Sequence, residues 1–439
     1  MSVSQVLTVE NIANGENLDF FGEGADKEAI QHLANFYIDN ALQYFTDNTP
    51  ISDIYPSISL DATGEEKEKY IYEMQLLTFQ LSKAVGPAPT NMEELFSDNA
   101  RLVMTLDNYC NKGCMHCVAG STTENPGDAK MTYDQITNID PRYLKIFKTT
   151  EFGRTGDPML WSSDGDDSSY DIADIVGWLY DEGMNEVTIA LGVFKNNDEW
   201  YDSVVNKLAA VYGEKGDRKL STMITYHHYF PDMDETQIAS AFNKTIKGCV
   251  KFSDNIVISV LGDIMYEKSS PDSLKKTFYG NIRKIFSGLD VGDNTTSPDA
   301  DELAIRMDGR EIELSIPPIS NVVYPFGRFE KTLKKDGRYE EYVKKFDEEL
   351  SEPYVCPDVL EWPGMIIEPD GDINMCGAFE AIAYPHVSVV SNIFKPYEEV
   401  ETEFLEFHKK EKEWFLANLP EIVFKEKTTC KIKNNCYAS

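Results

Sequence analysis

The chain has few basic residues and no long apolar run. Of its 439 residues 41 are Lys or Arg against 75 Asp or Glu, a formal net charge of −34. Binding nucleic acid through its phosphates needs a basic face, so DNA or RNA modification is disfavoured. Nothing approaches the roughly 18 consecutive apolar residues of a membrane span. The first twenty residues lack a basic segment followed by an apolar one, so a cytoplasmic, thiol-keeping setting is expected. There is also no phosphate-binding P-loop, no G-x-G-x-x-G dinucleotide fingerprint and no G-x-S-x-G nucleophile elbow. These absences leave nucleoside triphosphate, nicotinamide and serine-hydrolase readings without support. The acidity itself reads as solubility or a salty habitat before it reads as a docking surface for a basic partner.

What is present is a change of texture along the chain. Residues 1–100 carry two amphipathic patterns, with Ile30, Leu33, Tyr37, Ala41 and Tyr44 on one face of the first and Tyr70, Met74, Leu77 and Leu81 on one face of the second. A helical N-terminal region follows. From about residue 101, short apolar runs alternate with longer helical patterns: ARLVMTLDN, YLKIFKTTEFG, EVTIALGV, LSTMITYHHYF, NIVISVLGD and IELSIPPI are the expected strands. WSSDGDDSSYD is expected as an acidic loop, and GLDVGDNTTSPDADE as an exposed insertion. Alternating βα units predict a parallel sheet or barrel. A charged helical linker covers 329–352, and MIIEPDGDINMC after it reads as a hairpin around an Asp-Gly turn.

Sulfur is concentrated. CNKGCMHC places Cys110, Cys114 and Cys117 in eight residues, while Cys249 stands alone and reads as a small buried residue. Thiolates spaced C-x3-C-x2-C can hold three corners of a cuboidal iron-sulfur cluster, leaving one iron open to a chelating small molecule. Zinc is the competing occupant; His116 adjoins Cys117, and neighbours seldom face one ion, so zinc would need a fourth ligand from elsewhere.

This loop, at the end of the first strand of a βα series, resembles the signature of the radical S-adenosylmethionine (SAM) superfamily, in which an aromatic residue or His commonly stands where His116 does. After the second strand such proteins carry Gly-Gly-Glu-Pro, and here Thr155, Gly156, Asp157 and Pro158 stand in that place. The match is partial, since Thr replaces Gly and Asp replaces Glu. Asp157 still offers a carboxylate to the SAM ammonium, although taken alone it reads equally as a helix cap. YPFGRF, from Tyr324 to Phe329, is similar to the Pro-x-Gly-Arg segment that often ends the barrel in members with a C-terminal extension.

That extension has its own resemblance. Fourteen residues separate Cys356 from Gly371 and four separate Gly371 from Cys376, as in SPASM and twitch domains; Cys430 and Cys436 follow. Four cysteines allow one auxiliary [4Fe-4S] cluster, with structural zinc as the alternative.

The resemblance implies an incomplete (β/α)6 TIM-like barrel over 101–328, a helical region over 1–100 and an auxiliary cluster domain over 353–439. It implies a [4Fe-4S] cluster on Cys110, Cys114 and Cys117 with an open iron for SAM, and SAM contacts from His116, Gly156, Asp157, Pro158 and Ser259. An external flavodoxin or ferredoxin would reduce the cluster, and SAM would cleave to methionine and a 5′-deoxyadenosyl radical that abstracts hydrogen. The expected substrate is a ribosomally made peptide, its leader recognised by a separate partner if at all; the alternatives are a small molecule and a non-catalytic metal-binding scaffold. His227, His228, Tyr226 and Tyr229, just past a strand, are candidate substrate contacts, Asp263 is a further candidate beside Ser259, and His386 and His408 read as ordinary residues.

Overall fold

A computed structural model describes residues 80, 83–84, 88–115, 117, 120–121, 123, 130–153, 155–164, 169–194, 199–215, 218–227, 233–260, 285–291, 302–307, 310–315, 327–349, 360, 362–375 and 389–423. The two expected N-terminal helices lie almost wholly outside the described residues. His116, His228, Tyr229, Asp263, His386, Cys356, Cys376, Cys430 and Cys436 lie outside them too.

The protein is a mixed α/β molecule. The strands are β1 (Phe96–Met104), β2 (Thr149–Phe152), β3 (Ser162–Asp164), β4 (Ser169–Asp171), β5 (Glu186–Leu191), β6 (Lys219–Tyr226), β7 (Asn255–Val260), β8 (Asp290–Val291), β9 (Glu302–Met307), β10 (Arg310–Ser315), β11 (Trp362–Ile367), β12 (Asp372–Asn374) and β13 (Val389–Asn392). All but β3 and β4 join one sheet in the order β13-β12-β11-β1-β2-β5-β6-β7-β10-β9-β8. Its centre is parallel: β1, β2, β5, β6, β7 and β10 each pair in the same direction with the next. The helices are α1 (Tyr133–Thr137) and α2 (Pro141–Ile146) between β1 and β2, α3 (Ile172–Asp181) before β5, α4 (Glu199–Glu214) before β6, α5 (Glu235–Cys249) before β7, then α6 (Gly327–Lys335), α7 (Tyr339–Glu349) and α8 (Tyr397–Val423).

Local chemistry accounts for these elements. β5 buries Val187, Ile189 and Leu191 alternately, the period of two that a pleated strand imposes. α3 begins with a reciprocal capping box between Asp171 and Asp174, and α5 with one between Asp234 and Gln237. α3 then buries Ile172, Ile175, Val176 and Leu179 at helical spacing. Cys249 is fully buried at the end of α5, and burial pushes its thiol up to about 12, as befits a small core residue.

Two expectations are corrected. Tyr143 to Ile146 are helical instead of opening the second strand: Asp140 caps the Arg142 amide at 2.9 Å and Pro141 holds the first helical position, so β2 begins only at Thr149. The two ends of the acidic stretch after Trp161 are strands, β3 and β4, which pair antiparallel, and Tyr133 of α1 stacks on Tyr170 at 3.9 Å between centroids. The Asp-Gly turn does join two antiparallel strands, β11 and β12, with Ile367 opposite Ile373.

The chain divides into two compact units. One comprises Met1–Ser97, Glu352–Trp362 and Glu401–Ser439; the other comprises Asp98–Ser351 and Pro363–Val400. In the first, buried Trp362 packs edge-on against Phe96, Phe404 and His408, and its indole N–H donates to Glu411 at 3.2 Å. The second holds the parallel sheet. Among the described residues no helix is long and apolar enough to cross a membrane.

Candidate functional site

In a parallel sheet the strands all end on the same side, and loops that follow them converge there. The cysteine loop follows β1 and the Thr155–Pro158 segment follows β2. Hydrogen bonds tie the two: the Asp157 amide donates to the Tyr109 carbonyl at 2.8 Å, and the Gly156 amide donates to Ser121 Oγ at 3.0 Å. Gly156 has φ +72°, and a Cβ there would lie 2.6 Å from the Asp107 carbonyl, so only glycine fits.

Asp157 is buried and both its oxygens are engaged. Oδ1 accepts the Met159 amide at 3.1 Å, capping the short 3-10 turn that Pro158 begins. Oδ2 accepts Lys112 Nζ at 2.9 Å and the Tyr201 hydroxyl at 2.6 Å. The cap reading of Asp157 is thus realised, and the ammonium beside its other oxygen is that of Lys112. Lys112 belongs to the cysteine loop, Tyr201 to α4, and Lys112 also donates to Tyr201 Oη and to Asn111 Oδ1. At the end of β5, Gly192 leaves room for the lysine stem, since a Cβ there would stand 3.2 Å from Lys112 Cε.

Cys110, Cys114 and Cys117 are free and half-buried. Burial, then repulsion from Asp157, pushes the Cys110 thiol up to about 11, against the opposing pull of Lys112. Cys114 is driven further up by burial and by Cys110 and Cys117 beside it. Burial makes ionisation of the Cys110 and Cys114 thiols costly without a cation beside them, which is the electrostatic condition a metal group satisfies. The donor set therefore fits an iron-sulfur cluster. Among the described residues, no three His, Cys, Asp or Glu side chains are gathered so as to hold a single metal ion.

His227, just past β6 and 4% exposed, brings Nε2 to 3.6 Å from Cys114 Sγ. Tyr226 instead points into the core, edge-on to Phe242 at 5.0 Å. Ser259 lies on β7 opposite Thr225, half-buried.

Arg328, from the Pro-x-Gly-Arg segment, lies in the first turn of α6 and grips the cysteine loop. Its guanidinium donates to the Cys114 carbonyl at 3.1 Å and to the Ser121 carbonyl, and its amide donates to the Cys117 carbonyl at 2.9 Å. The motif signalled this residue but not its task. Lys112, Tyr201 and Asp107 were missed altogether, and the one available signal was a lysine inside a cysteine loop of an acidic chain. Asp107, 3% exposed, accepts the Tyr109 amide at 3.1 Å just ahead of that loop. No protein-family model and no curated protein matches the chain.

Proposed function

We propose that the protein is a radical SAM enzyme built on an incomplete (β/α)6 barrel. The observation that carries this reading is the convergence of four successive strand ends: the cysteine loop after β1, Gly156 and Asp157 after β2, Gly192 after β5 and His227 after β6. The parallel strands β1, β2, β5, β6, β7 and β10 neighbour one another in chain order, the order a singly wound (β/α) barrel has, which supports the finer fold.

Cys110, Cys114 and Cys117 would hold the [4Fe-4S] group, and Asp157 would receive the SAM ammonium. When bound and reduced by an external flavodoxin or ferredoxin, the cluster supplies the electron that cleaves SAM to methionine and a 5′-deoxyadenosyl radical. The chain's own residues bind, orient and exclude water: Arg328 fixes the loop carbonyls, and the buried Lys112, Asp157 and Tyr201 group keeps the floor of the site dry. We take a ribosomally made peptide as substrate, on the resemblance of the C-terminal extension to SPASM and twitch domains. Cys356, Cys376, Cys430 and Cys436 would hold the auxiliary cluster.

The second reading is a structural zinc: His227 Nε2 stands 3.6 Å from Cys114 Sγ and would be the fourth donor, although the three cysteines and His227 would have to draw together to close on one ion.

Anaerobic reconstitution with iron and sulfide, followed by metal counting and a 5′-deoxyadenosine assay after dithionite, separates the two. The expected result is about eight iron atoms per chain and SAM cleavage, with about half the iron and no cleavage in Cys110→Ala/Cys114→Ala/Cys117→Ala. Zinc in place of iron, or iron without cleavage, sinks the enzyme reading.

A further inference from the structure

The assignment of Asp157 to the SAM ammonium meets a physical obstacle: an ammonium already sits there. Lys112 Nζ is 2.9 Å from Asp157 Oδ2, and both side chains are 1% exposed. Tyr201 donates to the same oxygen, and the Met159 amide takes the other. A buried carboxylate that already accepts three hydrogen bonds and is neutralised by one ammonium has little left to offer a second cation.

We propose that Lys112 is an internal competitor for SAM, an ammonium carried by the chain that occupies the amino-acid subsite and must leave Asp157 before the α-ammonium of SAM can enter. The inference rests on the reading of the site given above. Three features carry it. The pair is fully desolvated, so Asp157 cannot stay charged without a cation, and removing one cation requires another in exchange. The two groups exchanged are both primary ammoniums, so the incoming one reproduces the hydrogen bonding of the outgoing one. The lysine also lies two residues past Cys110 on an unbranched four-carbon stem, packed along Gly192, so Nζ can leave while the Cα stays with the loop.

The consequence is a binding affinity reduced by the fraction of molecules in which Lys112 has left Asp157. A chain in which that fraction is small binds SAM weakly until the cysteine loop loosens its lysine, which couples the loop's state to SAM capture.

Equilibrium dialysis of labelled SAM against the reconstituted, oxidised protein reads this without turnover. Lys112→Met is expected to bind SAM at least about tenfold more tightly than wild type. Its affinity for 5′-methylthioadenosine, which has the nucleoside but no amino-acid end, should not change. Lys112→Gln, which keeps a donor for Asp157 and no charge, should show the same gain and covers the case in which the methionine variant fails to fold. Asp157→Asn should weaken SAM in either background. Unchanged or weaker SAM binding in Lys112→Met and Lys112→Gln with iron content intact overturns the proposal, as does an equal gain for methylthioadenosine. Iron-loaded wild type that binds no SAM at any concentration overturns the reading of the site itself, and the inference with it.

Discussion

Asp107 is a carboxyl group with almost no access to water, three residues ahead of the first loop cysteine. Burial pushes it up to about 6 from 3.8; the Tyr109 amide and Lys130 pull it down, and Asp157 pushes it up. The folded chain therefore holds this proton more tightly than the unfolded chain. The stability that follows is complete below about pH 4 and is lost as pH rises through about 6. The whole effect is on the order of 3 kcal/mol, of which about 1 kcal/mol falls between pH 5 and 7. In urea titrations across that window, Asp107→Asn should therefore gain on wild type by about 1 kcal/mol as pH rises; parallel curves would show that the carboxyl is not buried in solution. The residue scale is also where the sequence is least informative. Cysteines at fixed spacing and a Gly-Asp-Pro stretch announce themselves in a line of text. The Lys112–Asp157 pair does not, because its members stand 45 positions apart and Tyr201 a further 44, and only the fold brings them together.

At the scale of elements, legibility followed periodicity. β5 alternates and α3 repeats at helical spacing, so both were plain. The segment from Tyr143 to Phe147 is too short for either period to decide, and there the local signal was the Asp-Pro pair that starts a helix. Glycines divide in the same way by setting. In Gly156→Ala a Cβ would press on the Asp107 carbonyl at a positive φ, whereas Gly213 sits within α4 with nothing inside 4 Å. Gly156→Ala should lose about 2–4 kcal/mol and Gly213→Ala should gain about 0.5–1 kcal/mol in urea unfolding. A gain at Gly156 would contradict the loop geometry. Arg328 tests the contact between α6 and the cysteine loop. Lysine presents its charge as a point and cannot span the Cys114 and Ser121 carbonyls as the planar guanidinium does. Arg328→Lys and Arg328→Ala should therefore both retain less iron after desalting of reconstituted protein, with the cooperative unfolding transition preserved. Iron retention equal to wild type in both variants would mean that the loop holds its shape without this clamp.

The whole molecule carries its charge unevenly matched. An excess of 34 negative charges in a 439-residue chain repels itself, and compacting the chain brings those charges closer than they are when unfolded. Ion pairs oppose this locally: Lys334 to Glu330 at 2.6 Å and Arg142 to Glu398 at 2.7 Å bring opposite charges together on the surface. Such exposed pairs contribute about 0–1 kcal/mol each and are weakened by salt. The Lys112–Asp157 pair lies beyond the reach of mobile ions, being 1% exposed on both sides. Screening therefore removes more repulsion than attraction, because every basic residue paired with an acid still leaves 34 acids over. Raising NaCl from 0.01 M to about 0.5 M shortens the screening length from about 30 Å to a few ångströms. The unfolding midpoint should rise by at least about 1 °C, the shift that about 1 kcal/mol produces in a chain of this length, while an equal osmolality of sorbitol, which screens nothing, should leave out that electrostatic part. A midpoint that falls with salt would mean that the surface pairs outweigh the net repulsion, and that the acidic residues are arranged around the basic ones far more closely than their numbers require.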